Sequence, residues 1–209
     1  MQYMRDPVGI YAQSFATIEH EANLSVLPPT LRPVAIRMIH ACGMVDLADD
    51  IIGSDDLVEA VAKALDAEKP ILCDCEMVRA GIITKFLAKA NDLVVTLNDP
   101  LTEKMAESLK TTRSAAAVEL WQDRLAGAII VIGNAPTALF HLLDMIAAGA
   151  DRPAAIIAAP VGFVGATESK ALLATTAAGI PFVTVRGRRG GSAITSAAFN
   201  AIAKLANDE

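Results

Sequence analysis

Histidine is the side chain whose ordinary pKa lets it give or take a proton near neutrality, and the chain has only three, His20, His40 and His141. His40 lies in Arg37-Met38-Ile39-His40-Ala41-Cys42-Gly43. This reads as the last turn of a helix stopping near Gly43, where the negative end of the helix dipole favours an imidazolium. Such a group suits a proton donor working near neutral pH; a buried, satisfied structural imidazole fits the same position. His20, between Glu19 and Glu21, reads as exposed and His141, after Phe140 in mid-helix, as structural.

Anion chemistry is suggested by Arg186-Gly187-Arg188-Arg189-Gly190-Gly191-Ser192, three guanidiniums on a glycine-rich turn that opens the last helix. Free N–H groups at a helix start and planar Arg forks both match carboxylates or phosphates; a solvated basic turn is the plainer alternative. The Gly-Lys-Ser/Thr end of a P-loop is absent, and no GxGxxG follows the first strand. Arg113, in Thr111-Thr112-Arg113-Ser114, stands at a helix start, the unfavourable end of the dipole for a cation, so a bound anion or a surface salt bridge would account for it. Cys73 and Cys75 share one face of a strand with Asp74 opposite. A metal site needs two further ligands, Cys42 is distant, and packing accounts for the pair better; no metal is expected.

The elements that must carry these groups change character near Pro70. Before it the pattern is helical. Asp6 caps a first helix with Pro7 at its first position, Leu27-Pro28-Pro29 breaks it, Thr30 caps a second, and a third runs from Asp55 toward Pro70. After it, five short apolar runs alternate with helical stretches: 71–75, 93–97, 128–133, 154–159 and 181–185. Near-continuous Val/Ile/Leu/Ala runs suit strands buried on both faces. The expectation is an α/β fold with a doubly wound, mostly parallel five-stranded sheet, helices on both faces and a helix-rich N-terminal segment. It forms a single domain, with a helical part at 1–69 and alternating strands and helices at 70–209. Open parallel sheets bind ligands at the carboxyl ends of their strands. Here those ends hold Glu76-Met77, Asn98-Asp99-Pro100, Gly133-Asn134-Ala135-Pro136-Thr137, the 160–165 stretch and the arginine turn.

Composition narrows the function classes. Of 209 residues 53% are apolar and 20% charged, which excludes global disorder, and the net charge of −6 with 4% aromatics argues against nucleic-acid binding. Mean hydropathy is +0.41, yet no run of about 18 apolar residues is present to span a bilayer, and Met-Gln-Tyr-Met-Arg-Asp-Pro lacks the apolar stretch of a secretory signal. Three cysteines with such spacing do not make a disulfide framework. A cytoplasmic protein is expected.

Seven segments together go further: Tyr-Ala-Gln-Ser-Phe around Ser14, the His40 segment, Cys73-Asp74-Cys75-Glu76-Met77, Thr-Arg-Ser-Ala-Ala around Arg113, Ile-Gly-Asn-Ala-Pro-Thr-Ala-Leu-Phe at 132–140, Pro-Val-Gly-Phe-Val-Gly-Ala-Thr-Glu-Ser-Lys at 160–170, and the arginine turn. Through them nearly the whole chain resembles the precorrin-8X methylmutase family of cobalamin biosynthesis. The resemblance implies an isomerase that moves a methyl group from carbon eleven to carbon twelve of the corrin ring, giving hydrogenobyrinic acid, with no cofactor. It implies that His40 protonates a ring nitrogen, that Ser14 contacts substrate, and that the protein is a homodimer.

The substrate would be an anionic tetrapyrrole fringed with acetate and propionate groups. Arg113, Arg186 and Arg188 are the expected anion partners and Val161, Phe163 and Val164 an apolar floor. Arg37, Ser114, Asn134, Thr137 and Gly162 complete the expected substrate-binding set. Two departures from the family pattern stand out: Leu109-Lys110-Thr111-Thr112 where Gly-Asn-Thr is frequent, and Asn98 where Arg often precedes Asp-Pro. One carboxylate contact is therefore expected to be weaker or rearranged. The same residues leave open cobalt-precorrin-8 as substrate, giving cobyrinic acid, or a non-catalytic corrinoid carrier that would not need His40. A nucleotide- or adenosylmethionine-binding enzyme is disfavoured by the missing glycine fingerprint.

Overall fold

The computed structural model describes residues 3–177 and 179–207. In chain order the elements are α1 (Pro7–Glu21), α2 (Arg32–Cys42), β1 (Ile51–Gly53), α3 (Leu57–Asp66), β2 (Ile71–Cys73), α4 (Glu76–Gly81), β3 (Leu93–Val95), α5 (Pro100–Leu109), α6 (Arg113–Glu119), β4 (Ile129–Ile132), α7 (Pro136–Ala147), β5 (Ala155–Ala158), α8 (Ala166–Thr176), β6 (Phe182–Val185) and α9 (Ser192–Asn207). The Asp6 carboxylate accepts the N–H groups of Val8 at 3.1 Å and Gly9 at 2.9 Å, which starts α1 as its sequence requires. Thr30 does not cap α2. A single 3-10 turn, Pro29–Leu31, takes it up, and α2 opens from Leu31 with Pro33 in its first turn, where a missing N–H costs nothing.

The sheet has six strands in the order β1-β6-β5-β4-β2-β3, which corrects the expected five. All neighbours are parallel except β1, which runs antiparallel to β6 with Ile51 opposite Val185 and Gly53 opposite Val183. The chain goes outward from β2 to β3, then crosses back to place β4 on the other side of β2.

Alternate strand residues feed two cores. Cys73, Val131, Ile157 and Val185 face a cluster with Val34, Met38 and Ile39 of α2, Leu57 and Val61 of α3, and Ile194, Phe199 and Ile202 of α9. Leu72, Ile130, Ile132 and Ile156 face a second cluster with Val118 of α6, Leu139 and Leu142 of α7, and Leu173 of α8. Helices therefore cover both faces of the sheet. Phe199 is fully buried, so its truncation to Ala would cost about 3–5 kcal/mol. Because α2 packs along α9, the end of α2 that carries His40 is held by the helix that opens from the arginine turn.

Candidate functional site

The centre of the carboxyl edge lies between β2 and β4, and one buried carboxylate organises it. Asp74 follows β2 and is 3% exposed; Oδ1 accepts the N–H of Gly133 at 3.0 Å, and Oδ2 accepts those of Asn134 at 2.8 Å and Ala135 at 2.9 Å. Burial pushes the Asp74 carboxyl above the usual carboxylate range, and the three N–H donors oppose that rise. Gly133 is required because a Cβ there would lie 2.8 Å from the Cα of Ser192, at the start of α9. The backbone N–H groups at the end of β4 are thus spent on Asp74, which the sequence alone marks only as facing away from the cysteines. A charged residue inside an apolar strand run was the signal to follow.

The arginine turn divides its three guanidiniums. Arg189 donates to Asp46 at 2.8 Å and to Asp50 through a short contact, and these hydrogen bonds hold its pKa above the ordinary value. Both carboxylates lie in the 3-10 segment Val45–Asp50 that follows α2. Arg189 therefore serves the protein, while Arg186 and Arg188 remain exposed. Arg186 donates to the carbonyl of Asp49 at 2.6 Å, and the Arg188 guanidinium stands 5.4 Å from the ring centroid of Phe163. The Gly162 N–H donates to the Arg188 carbonyl at 3.2 Å, joining the two loops. Phe163 and Val164 are 87% and 89% exposed, an apolar surface beside two cations. Gly190, at φ +155°, leaves no room for a side chain: a Cβ would sit 2.1 Å from the Ala159 carbonyl oxygen.

His40 is exposed at the end of α2, so the alternative of a buried, satisfied imidazole is excluded. Its ring nitrogens have no hydrogen-bond partner among the described residues, and the ring is held by aromatic contacts alone: edge-on to Phe15 at 5.2 Å and tilted against Tyr11 at 5.7 Å. The Arg37 guanidinium lies 5.0 Å from both the Tyr11 and Phe15 centroids, and burial lowers its pKa. It braces the aromatic pair on which the imidazole rests. His40 and Ser14 both line a cavity of about 580 Å³ between α1 and the end of α2, with Met4, Ile10, Ile18, Ile39 and Val45 as its apolar part.

Arg113 and its neighbours stand near the opposite edge. Thr112 caps α6 by accepting the Ala115 N–H at 3.2 Å and donates to Thr137 Oγ1 at 2.8 Å. Arg113 donates to the Leu97 carbonyl at 3.1 Å and to Asn98 Oδ1 at 3.3 Å, and Ser114 is half-buried. Asn98 here accepts from Arg113 and so fixes its guanidinium. From β3 to β6 is four strand spacings, about 19 Å at ~4.8 Å each. A ligand meeting Arg113 at one end and Arg186 or Arg188 at the other must be broad and carry several anionic groups.

His141 pairs with Glu119 at 2.7 Å across α6 and α7, away from the His40 cavity. Cys73 and Cys75 are buried, with burial pushing both thiols up, and Cys75 Sγ lies 3.6 Å from Ser192 Oγ. Among the described residues no cluster of three or more His, Cys, Asp or Glu could hold a metal ion, and no helix is long and apolar enough to cross a membrane.

Comparison with known proteins gives one consistent result. The sequence profile of the precorrin-8X methylmutase family matches residues 9–205. The precorrin-8X methylmutase of Pseudomonas aeruginosa is 52% identical over 203 residues, covering 97% of this chain and 98% of that protein. The cobalt-precorrin-8 methylmutase of Priestia megaterium is 35% identical over 96% of this chain and 89% of its own length. In structure, the precorrin-8X methylmutase crystal structure from Thermus thermophilus superposes with a TM-score of 0.84 at 36% identity, over 96% of each chain.

Proposed function

The chain belongs to the precorrin-8X methylmutase family, an isomerase family of cobalamin biosynthesis, and from that premise we propose how its own residues work on precorrin-8X. The methyl group on carbon eleven of the ring moves to carbon twelve, and the product is hydrogenobyrinic acid of unchanged mass. His40, as imidazolium, hands its proton to a ring nitrogen beside the migrating group. The protonated conjugated ring is electron-poor, which favours migration of the methyl with its bonding pair. The observation that carries this reading is the imidazole itself: exposed, oriented by Phe15 and Tyr11, without a hydrogen-bond partner among the described residues and lining the same cavity as Ser14. A positioned acid is worth about 10²–10⁴-fold, roughly 3–5 kcal/mol; orientation of the bound ring accounts for much of the remainder.

Arg113, Arg186 and Arg188 meet the peripheral carboxylates, Phe163 and Val164 lie under the ring, and Ser14, Arg37, Ser114, Asn134, Thr137 and Gly162 complete the lining or support it. The metal-free substrate is favoured over its cobalt complex by the 52% identity to a precorrin-8X enzyme against 35% to a cobalt-precorrin-8 enzyme. We read the sheet as doubly wound, with the change of direction at β2 and β4 forming the middle of the cleft, and the chain as one domain whose N-terminal helices share a core with α9. A homodimer is supported by the exposed apolar side chains of Tyr3 and Val8, outside the His40 cavity. A cytoplasmic setting is supported by three free cysteines.

The test is an absorption time course with precorrin-8X, wild type beside His40→Ala. Formation of the hydrogenobyrinic acid spectrum by the wild type, with binding but no turnover by His40→Ala, is expected. Full turnover by His40→Ala would remove the histidine from the chemistry. Binding without turnover by the wild type on both metal-free and cobalt substrates would favour a carrier.

A further inference from the structure

Lys170 is a charged side chain with no exposed surface, in α8. An isolated ammonium in such a place loses its hydration, and an apolar side chain of similar volume would fill it without that cost. Its Nζ donates to the backbone carbonyl of Arg189 at 2.6 Å. Asp50 supplies the nearby negative charge, and the same Asp50 carboxylate receives Arg189 Nη2. Lys170 thus grips the backbone of the one arginine whose side chain is already gripped by Asp46 and Asp50.

We propose that Lys170 is a positioning residue for substrate: by fixing the Arg189 carbonyl it sets where Arg186 and Arg188 present their guanidiniums relative to His40. The geometry supports this through a continuous set of contacts. Arg188 immediately precedes the clamped carbonyl, and its own carbonyl accepts from Gly162. Gly190, immediately after it, lies so close to Ala159 that a Cβ would clash with its carbonyl, and the Gly191 N–H donates to that same carbonyl at 2.8 Å. On the other side Arg189 reaches Asp46 and Asp50, in the segment that begins three residues after α2 ends. Lys170 touches no cavity lined by His40 and acts only through the turn. This inference rests on the functional reading above, because it assumes that Arg186 and Arg188 meet the carboxylates of the corrin precursor.

The experiment compares wild type and Lys170→Met in steady-state conversion of precorrin-8X and in titration with hydrogenobyrinic acid followed by absorbance. Wild-type turnover separately establishes the reaction, so a failure there counts against the function and not against the lysine. The expected result is a KM and a product Kd raised about 10–100-fold, the range of one to two charge-assisted contacts misplaced, with kcat kept within about threefold. Lys170→Arg, which restores a donor, is expected to recover part of the affinity. A role confined to stability would lower the melting temperature and leave KM alone; that result, or lost kcat with unchanged affinity, overturns the proposal. If Lys170→Met fails to fold, Lys170→Gln, which keeps a polar side chain in α8 but removes the ammonium that holds the Arg189 carbonyl, carries the test. A raised KM at constant kcat supports the proposal, and an unchanged KM refutes it.

Discussion

Replacing Asp74 tests how the centre of the carboxyl edge is held together. In the wild type one carboxylate serves three backbone N–H groups, of which Gly133 and Ala135 are buried. Asp74→Ala leaves both without an acceptor at about 1–3 kcal/mol each, and relief from burying a charge offsets part of that. A net loss of about 2–4 kcal/mol is expected. Asp74→Asn keeps an oxygen for Asn134 and Ala135 but turns an amide N–H₂ toward the Gly133 N–H, orphaning one donor for about 1–3 kcal/mol. Against a usual domain stability of ~5–15 kcal/mol, the first change removes a large share and the second a tolerable one. Urea unfolding followed by circular dichroism measures both, and corrinoid titration of the Asn variant should show weakened binding because the loop carrying Asn134 shifts. If Asp74→Ala lies within about 0.5 kcal/mol of wild type, or Asn costs more than Ala, the account of this centre is wrong.

Two further outcomes are expected. Gly190→Ala forces a methyl against the Ala159 carbonyl and should cost about 3 kcal/mol or more, lowering the melting temperature by ~6–12 °C in thermal unfolding. Burial lowers the Lys170 pKa to about 8, opposed by Asp50. Between about pH 8 and 10.5 the unfolded chain then binds more protons at this residue than the native one, so the lysine's contribution to stability rises with pH across that window, by up to about 3 kcal/mol. Denaturant unfolding at pH 8 and pH 10 should show this rise in wild type and lose it in Lys170→Met; equal slopes in the two proteins would contradict it.

The long apolar strands were legible because Ile129–Ile132 and Ala155–Ala158 are buried on both sides, so that every position must be apolar whatever its neighbours. Strand β1 was not, since Ile51-Ile52-Gly53 is too short to show a period and becomes a strand only because β6 offers it an edge. The candidate site divides in the same way. His40 and the arginine turn stand out by residue type, and the helix dipole and glycine spacing explain their places locally. Asp74 and Lys170 do not, because the carbonyl and N–H groups that give them purpose lie 19 and about 60 residues away. The loss of Arg189 to internal ion pairs is of this kind too: its partners are 139 and 143 residues distant, and the run of three arginines looks uniform until they meet.

The pairing of Ile51 with Val185 and the seating of α2 on α9 also bear on how the chain is made. Synthesis proceeds from the N-terminus at ~5–20 residues per second, and about 165 residues separate the end of α2 at Cys42 from the end of α9 at Asn207. For roughly ten to thirty seconds on the ribosome, Val34, Met38 and Ile39 therefore wait for the helix that will bury them. The edge strand waits as well. This architecture ties the packing of α2 to the arrival of α9, so the apolar face of α2 is completed only after all six strands have been made.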